Sequence, residues 1–247
     1  IILLAAICST SRGTDLGVRS TLAVLVITGI PVALILMQPD LGSVMVFLAV
    51  AATILVVGGA PARHLVVLFL VAVVGVIAVF QLGLLGKHQQ ERLSNFVDPG
   101  PASSGVAYNA EQAQTAIGAG GFTGAGLFKG TQTELRYVPY QQSDFIFTVV
   151  GEELGFVGGL TLLALYSVMA WRIWRAAMLS RDFFGTLICA GVLGLLLFQV
   201  FENMGMTMGI MPITGIPLPL MSYGGSSVLT IFIAVGLVLN VHSRRFA

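Results

Sequence analysis

The chain has 247 residues, of which 56% are hydrophobic and 9% charged, with a formal net charge of +1; a water-soluble domain usually carries about 25% charged residues. Its mean hydropathy is +0.95, so there are too few polar side chains to cover a soluble globule. A net charge of +1 points to no nucleic-acid partner.

The apolar residues stand in continuous blocks, such as Leu41 to Gly59 and Leu65 to Leu85, each close to the ~20 residues that a helix needs to cross a hydrocarbon core. A transmembrane barrel would show short alternating segments instead. An all-α, polytopic transmembrane helical bundle is therefore expected. The chain opens inside an apolar run with no Met and no basic n-region, which reads as a truncated start rather than a signal peptide.

Ile1 to Ile7 reads as the end of one helix, followed by a polar turn from Ser9 to Arg19 and a span from Thr21 to Met37. Pro39 then breaks the chain, and a second span runs from Leu41 to the Gly58-Gly59-Ala60-Pro61 turn. A third covers Leu65 to Leu85. Lys87 to Ser143 is polar, rich in glycine and without an apolar run long enough to span, so residues 86–143 are expected as one large extramembrane loop within a single transmembrane domain, 1–247. Inside that loop, Tyr108 to Ile117 suits a short helix with Asn109 as its cap, and Gly118 to Gly126 suits flexible backbone. Spans from Phe145 to Trp171, Phe183 to Met204 and Ser227 to Val241 complete the layout, with Pro212, Pro217 and Pro219 holding one segment out of regular helix.

Charge tests this order. Arg12, Arg19, Arg63, Arg172, Arg175, Arg181, Arg244 and Arg245 fall on one side, whereas Lys87, Arg92, Lys129 and Arg136 all lie in the long loop. The positive-inside rule puts the arginine-rich side in the cytoplasm and the long loop outside.

Three segments on the outer side concentrate polar and conformationally special residues: Gln38 to Ser43, Lys129 to Phe147, and Pro212 to Ser227. Asp40 and Asp144 each precede an apolar helix, where an acid favours the helix dipole, so both suit caps. For Asp144 a cap and a catalytic role can coexist, because a carboxylate at the membrane surface beside Lys129 and Arg136 is placed to take a proton from an anionic lipid-linked substrate. Glu152 and Glu153 lie further along the same helix, on the order of 12 Å deeper at ~1.5 Å per residue. A structural pair, a proton relay and the floor of a substrate cavity all fit them, and Glu202 carries the same ambiguity. Cys8 and Cys189 sit in apolar stretches as small core residues, and the scattered His64, His88 and His242 argue against a histidine metal site. Gly118 to Gly126 lacks dinucleotide spacing and a Gly-Lys-Ser/Thr ending, and no Gly-x-Ser-x-Gly elbow accompanies the serines.

Taken together, QPDLGS at Gln38 to Ser43, AIGAGGFTGAGLFKGTQTEL at Ala116 to Leu135, SDFIFTVVGEELGFVGG at Ser143 to Gly159 and GIMPITGIPLPLMSYGGSS at Gly209 to Ser227 resemble the RodA/FtsW (SEDS) family of peptidoglycan glycosyltransferases. The Lys129 to Gln132 run and Pro217 to Leu220 look more like the elongation branch than the division branch. The resemblance implies a ten-helix fold whose first three helices are missing here. It also implies a multi-pass protein of the bacterial inner membrane that transfers a growing glycan from undecaprenyl diphosphate to the 4-hydroxyl of lipid II.

The family's essential aspartate falls on Asp144, while Tyr140 and Gln142 stand where the family usually has Glu and His, which leaves no acid or imidazole for those two places. Substrate-binding roles are implied for Arg92, Lys129, Arg136 and Gln112, with Glu152 and Glu153 as further candidates. Mg2+ or Mn2+ is expected to assist the diphosphate, and a class B penicillin-binding protein is the implied partner. A lipid II flippase using Glu152 and Glu153 as a proton path, or a scaffold for a partner synthase, are the competing functions. The outward loop is testable: Ser103→Cys should react with a membrane-impermeant thiol reagent in intact spheroplasts, and labelling only after lysis would overturn the layout.

Overall fold

The computed structural model describes residues 1–10, 16–38, 40–70, 105–135 and 137–244, with the backbone alone for Val106. Every regular element among them is a helix: α1 (Ile2–Ser9), α2 (Val18–Leu36), α3 (Leu41–Val57), α4 (Gly105–Gly120), α5 (Thr131–Glu134), α6 (Ile146–Met178), α7 (Phe183–Thr207) and α8 (Gly225–Arg244). Residues 62–70 are helical as well. The third expected span, Leu65 to Leu85, lies outside the described residues beyond position 70, as does the first part of the long loop.

Helices α2, α6, α7 and α8 are long and apolar enough to cross a membrane, and α3 is apolar but shorter. Leu160, Leu163 and Leu165 on α6 and Leu229, Phe232, Ile233 and Leu239 on α8 are exposed. Water would penalise apolar faces of that extent, whereas lipid chains solvate them. The chain is an all-α, multi-pass membrane protein.

The chain divides into two compact units: residues 1–86, 170–197 and 232–247, and residues 87–169 and 198–231. In the first, α1, α2 and α3 pack on one another, burying Cys8, Leu16, Val24 and Ile54. Cys8 and Cys189 are buried and free. Helix α3 starts where the cap reading placed it. Asp40 Oδ1 accepts the Ser43 N–H at 3.0 Å and its Oδ2 accepts the Ser43 hydroxyl at 2.6 Å, which satisfies a donor that the first turn otherwise leaves orphaned.

The second unit is built on α4. Its Ala113 and Ala116 bury against Val138, Phe145 and Ile213, and the helix runs past both ends of the stretch Tyr108 to Ile117. Asn109 consequently lies inside α4 instead of capping it.

Helix α6 is broken at Gly155, whose φ of 64° and ψ of −160° suit glycine alone. A regular helix would pair the Phe156 N–H with the Glu152 carbonyl and the Val157 N–H with the Glu153 carbonyl. The glycine-rich loop takes over both pairs. Phe156 donates to the Gly121 carbonyl at 3.0 Å and Val157 to the Phe122 carbonyl at 3.2 Å, while the Glu152 and Glu153 carbonyls accept Ala125 N–H at 2.9 Å and Gly126 N–H at 3.0 Å. Phe122 stacks on Phe156 with ring centroids 5.7 Å apart. A stretch expected to be flexible is thus a hydrogen-bonded insert in a helix break, and its glycines serve close approach. A Cβ on Gly155 would stand 2.4 Å from the Gly124 nitrogen. Gly155→Ala should therefore cost at least about 1–3 kcal/mol from the backbone conformation alone, lowering the melting temperature in detergent and exposing residues 121–126 to protease. An unchanged melting curve and cleavage pattern would refute the insert's role.

Candidate active site

The site begins with a turn. Tyr140 adopts a φ of 55°, and its carbonyl accepts the N–H groups of Ser143 and Asp144 at 3.1 Å and that of Phe145 at 3.4 Å. The Ser143 hydroxyl adds a bond at 3.2 Å. Curling round one carbonyl drives Phe145 into the core, where it is buried, and leaves Asp144 half-buried just ahead of α6.

Two other segments meet this turn. The Tyr223 N–H donates to the Gln142 carbonyl at 2.8 Å. From inside α7, the Asn203 side-chain amide donates to the Asp144 carbonyl at 2.7 Å and to the Ile216 carbonyl at 2.8 Å. Its neighbour Glu202, buried like Asn203, accepts the Thr214 hydroxyl at 2.9 Å. Between Thr214 and Ile216, Gly215 has a φ of 77°, and a Cβ added there would lie 3.3 Å from Asp144 Oδ2. The Asp144 carboxylate therefore sits against a glycine turn whose two flanks are both tied to α7. The proline-rich segment is pinned further along: Leu218 N–H donates to the Ser222 hydroxyl at 2.7 Å, and the buried Tyr166 hydroxyl donates to the Pro219 carbonyl.

Glu152 and Glu153 are buried, and both carboxylates face backbone donors. Glu152 Oε1 accepts Gln132 N–H at 2.7 Å, and its Oε2 accepts Thr133 N–H at 2.9 Å and the Thr133 hydroxyl at 2.7 Å. The residue before α5, Gly130, has no side chain with which to cap the helix. Glu152 supplies that cap from α6, where an anion meets both the orphan N–H groups and the favourable end of the dipole. Glu153 Oε2 accepts Phe128 N–H at 3.1 Å. Lys129 lies between these two clasps, exposed, with its N–H on the Gly126 carbonyl at 3.1 Å.

The clasped loop and the aspartate turn are connected, since Gln141 Nε2 donates to the Thr133 hydroxyl at 3.2 Å. Of the residues singled out from sequence, Asp144, Lys129, Glu152 and Glu153 thus belong to one bonded framework. Gln112 is half-buried on α4. Arg92 and Arg136 lie outside the described residues, and Asp40 belongs to the other unit. Asn203, Thr214 and Gln141 were not singled out from sequence. The signal for Asn203 was present as a carboxamide beside Glu202 inside an apolar span, where polar groups are expensive. Among the described residues no three His, Cys, Asp or Glu side chains gather as a metal site.

The chain belongs to the FtsW/RodA/SpoVE family of cell cycle proteins, whose pattern matches residues 1–246. It is 37% identical over 228 residues to the peptidoglycan glycosyltransferase MrdB of Escherichia coli K12, covering 92% of this chain and 61% of MrdB. It is 43% identical over 162 residues to the peptidoglycan glycosyltransferase RodA of Treponema pallidum, covering 66% of this chain and 37% of that protein. Among solved structures, it superposes on a chain from a peptidoglycan synthase complex that coordinates polymerization and crosslinking. That match has a TM-score of 0.81 and 34% identity, and covers 99% of this chain and 68% of the other. The rod shape determining protein RodA of Thermus thermophilus matches with a TM-score of 0.66 and 30% identity, over 100% of this chain and 64% of that one. The chain spans about three fifths of MrdB's length.

The clasp yields its own test. Glu152→Gln keeps the shape but turns an N–H group toward backbone donors, leaving a buried donor unpaired at a cost of about 1–3 kcal/mol. Amide hydrogen exchange across residues 128–135 should accelerate; exchange at the wild-type rate would show that Glu152 does not hold the loop.

Proposed function

We propose that the whole protein polymerises the glycan strands of peptidoglycan at the bacterial inner membrane, with Asp144 as its general base. The observation that carries this reading is a half-buried carboxylate seated against Gly215 where two polar segments meet, in a family whose curated relatives include peptidoglycan glycosyltransferases. The similarity to rod shape determining proteins favours a role in elongation and cell shape.

In this reading the acceptor is lipid II and the donor is the growing glycan on undecaprenyl diphosphate. The acceptor 4-hydroxyl attacks the anomeric carbon, its proton passes to Asp144, a new carbon–oxygen bond forms, and the bond from the anomeric carbon to the diphosphate oxygen breaks. A hydroxyl is a weak nucleophile at neutral pH, and a carboxylate within hydrogen-bond reach contributes typically 10²–10⁴-fold. Diphosphate is already a good leaving group, so one carboxylate suffices. A single displacement inverts the anomeric centre and needs no covalent glycosyl-enzyme.

Lys129 is the described cation that suits the diphosphate, with Arg92 and Arg136 as further candidates and Gln112 as a sugar contact. Glu152 and Glu153 serve this function by holding the Lys129 loop, since their bonds to backbone donors suit a clasp better than a proton path. The described residues do not fit a resident metal centre. Mg2+ or Mn2+ would be carried by the substrate diphosphate, whose charge it would offset. A class B penicillin-binding protein is the proposed partner, supported by the similarity to a chain of a peptidoglycan synthase complex.

Purified full-length protein given labelled lipid II should make polymer without a partner's glycosyltransferase. Asp144→Asn, which keeps size and one acceptor oxygen, should fold, bind lipid II and lose at least about 10²-fold in rate. Polymerisation by the Asn variant at near wild-type rate would leave Asp144 without its role as base, and lipid movement without polymer would favour the flippase.

A further inference from the structure

We infer that Asn203 is the positioning residue for Asp144, holding its backbone and the Gly215 turn in the one arrangement that seats the carboxylate. The inference rests on the reading of Asp144 as the base and adds to it the device that fixes the base in place.

Asn203 has no exposed surface, so it does not reach substrate. Both hydrogens of its amide are used, one on the Asp144 carbonyl at 2.7 Å and one on the Ile216 carbonyl at 2.8 Å. Two carbonyl partners also fix which way the amide points. Only the NH2 group can donate, and a flip would set oxygen against two oxygens. The bonded pairs are 59 and 13 residues apart in the chain, so one α7 side chain ties together two segments with no covalent reason to meet.

The second tie is independent of the first. Glu202 accepts from Thr214 at 2.9 Å, so the Thr214-Gly215-Ile216 turn is gripped on both flanks by consecutive α7 residues. Gly215, in the middle, has the positive φ that presents its bare Cα to Asp144 Oδ2. A general base must stay within hydrogen-bond reach of the attacking hydroxyl, and a displacement of about 1 Å can cost ~10²-fold. Removing the Asn203 amide deletes the bonds that join the Asp144 peptide to the Ile216 flank of the turn, which lets the two shift by distances of that order.

The test measures kcat and KM for lipid II polymerisation with the full-length protein. Asn203→Ala removes both bonds, and Asn203→Gln keeps the NH2 group but moves it by one methylene. Both variants should lose about 10- to 100-fold in kcat with KM for lipid II changed less than about threefold. A merely structural role would instead lower the yield of active protein and leave the turnover of the active fraction unchanged. Wild-type kcat in Asn203→Ala would overturn the inference, and so would a failure of both variants to fold, since that makes Asn203 a determinant of folding and not of placement. Asp144→Asn is assayed in parallel to separate the two readings. If it retains activity, the base assignment falls; if it is inactive while Asn203→Ala turns over normally, the positioning role alone falls.

Discussion

The break in α6 at Gly155 governs the geometry of the second unit. Peptide groups released from a helix must find partners, because an unpaired buried group costs on the order of 1–3 kcal/mol, and more in hydrocarbon. The loop around Gly121 to Gly126 meets that demand by bonding both the released donors and the released acceptors. Once it does so its path is set, and the residues that follow, Leu127 to Thr133, are delivered to the Glu152 and Glu153 carboxylates. The position of Lys129 is a consequence of a helix that stops being helical two residues after Glu153.

A second polar device operates inside α7. Glu202 and Asn203 interrupt an apolar helix and are fully buried, which is unfavourable unless their groups are bonded. One Glu202 oxygen and the Asn203 amide group bond Thr214, Asp144 and Ile216, while Glu202 Oε2 and Asn203 Oδ1 are buried without a hydrogen bond, so these bonds offset part of the cost of burial and fold an irregular, proline-rich segment against α7. Irregular backbone at membrane depth is stable only where protein covers it or satisfies it. Here two adjacent side chains contribute to that.

The helical spans were legible because continuous apolar blocks encode length directly, and α2, α6, α7 and α8 fall where hydropathy puts them, with ends that differ from the expected ones by at most seven residues. The Asp40 cap was legible because its partner is three residues away. Long-range exchanges were not. Nothing local in Gly118 to Gly126 says that these glycines will insert into a helix about thirty residues on, so composition alone suggested slack. The same holds for Glu152, whose burial was readable but whose partners at Gln132 and Thr133 were not. Asp144 was picked out by chemistry and motif, while Asn203, which holds its peptide, was passed over because one Asn in an apolar span gives no hint of two carbonyl partners.

These two devices meet at a single short segment. Glu152 bonds Thr133, Thr133 accepts from Gln141, and Gln141 stands three residues before Asp144 in the turn that curls on the Tyr140 carbonyl. Asn203 grips the far end of that turn at the Asp144 carbonyl. The turn is thus held at one end by the loop that carries a cation and at the other by the helix that seats the carboxylate. The framework that joins them runs through the Glu152 carboxylate, the Thr133 hydroxyl and the Gln141 and Asn203 carboxamides, so segments far apart in the chain are tied to one short turn.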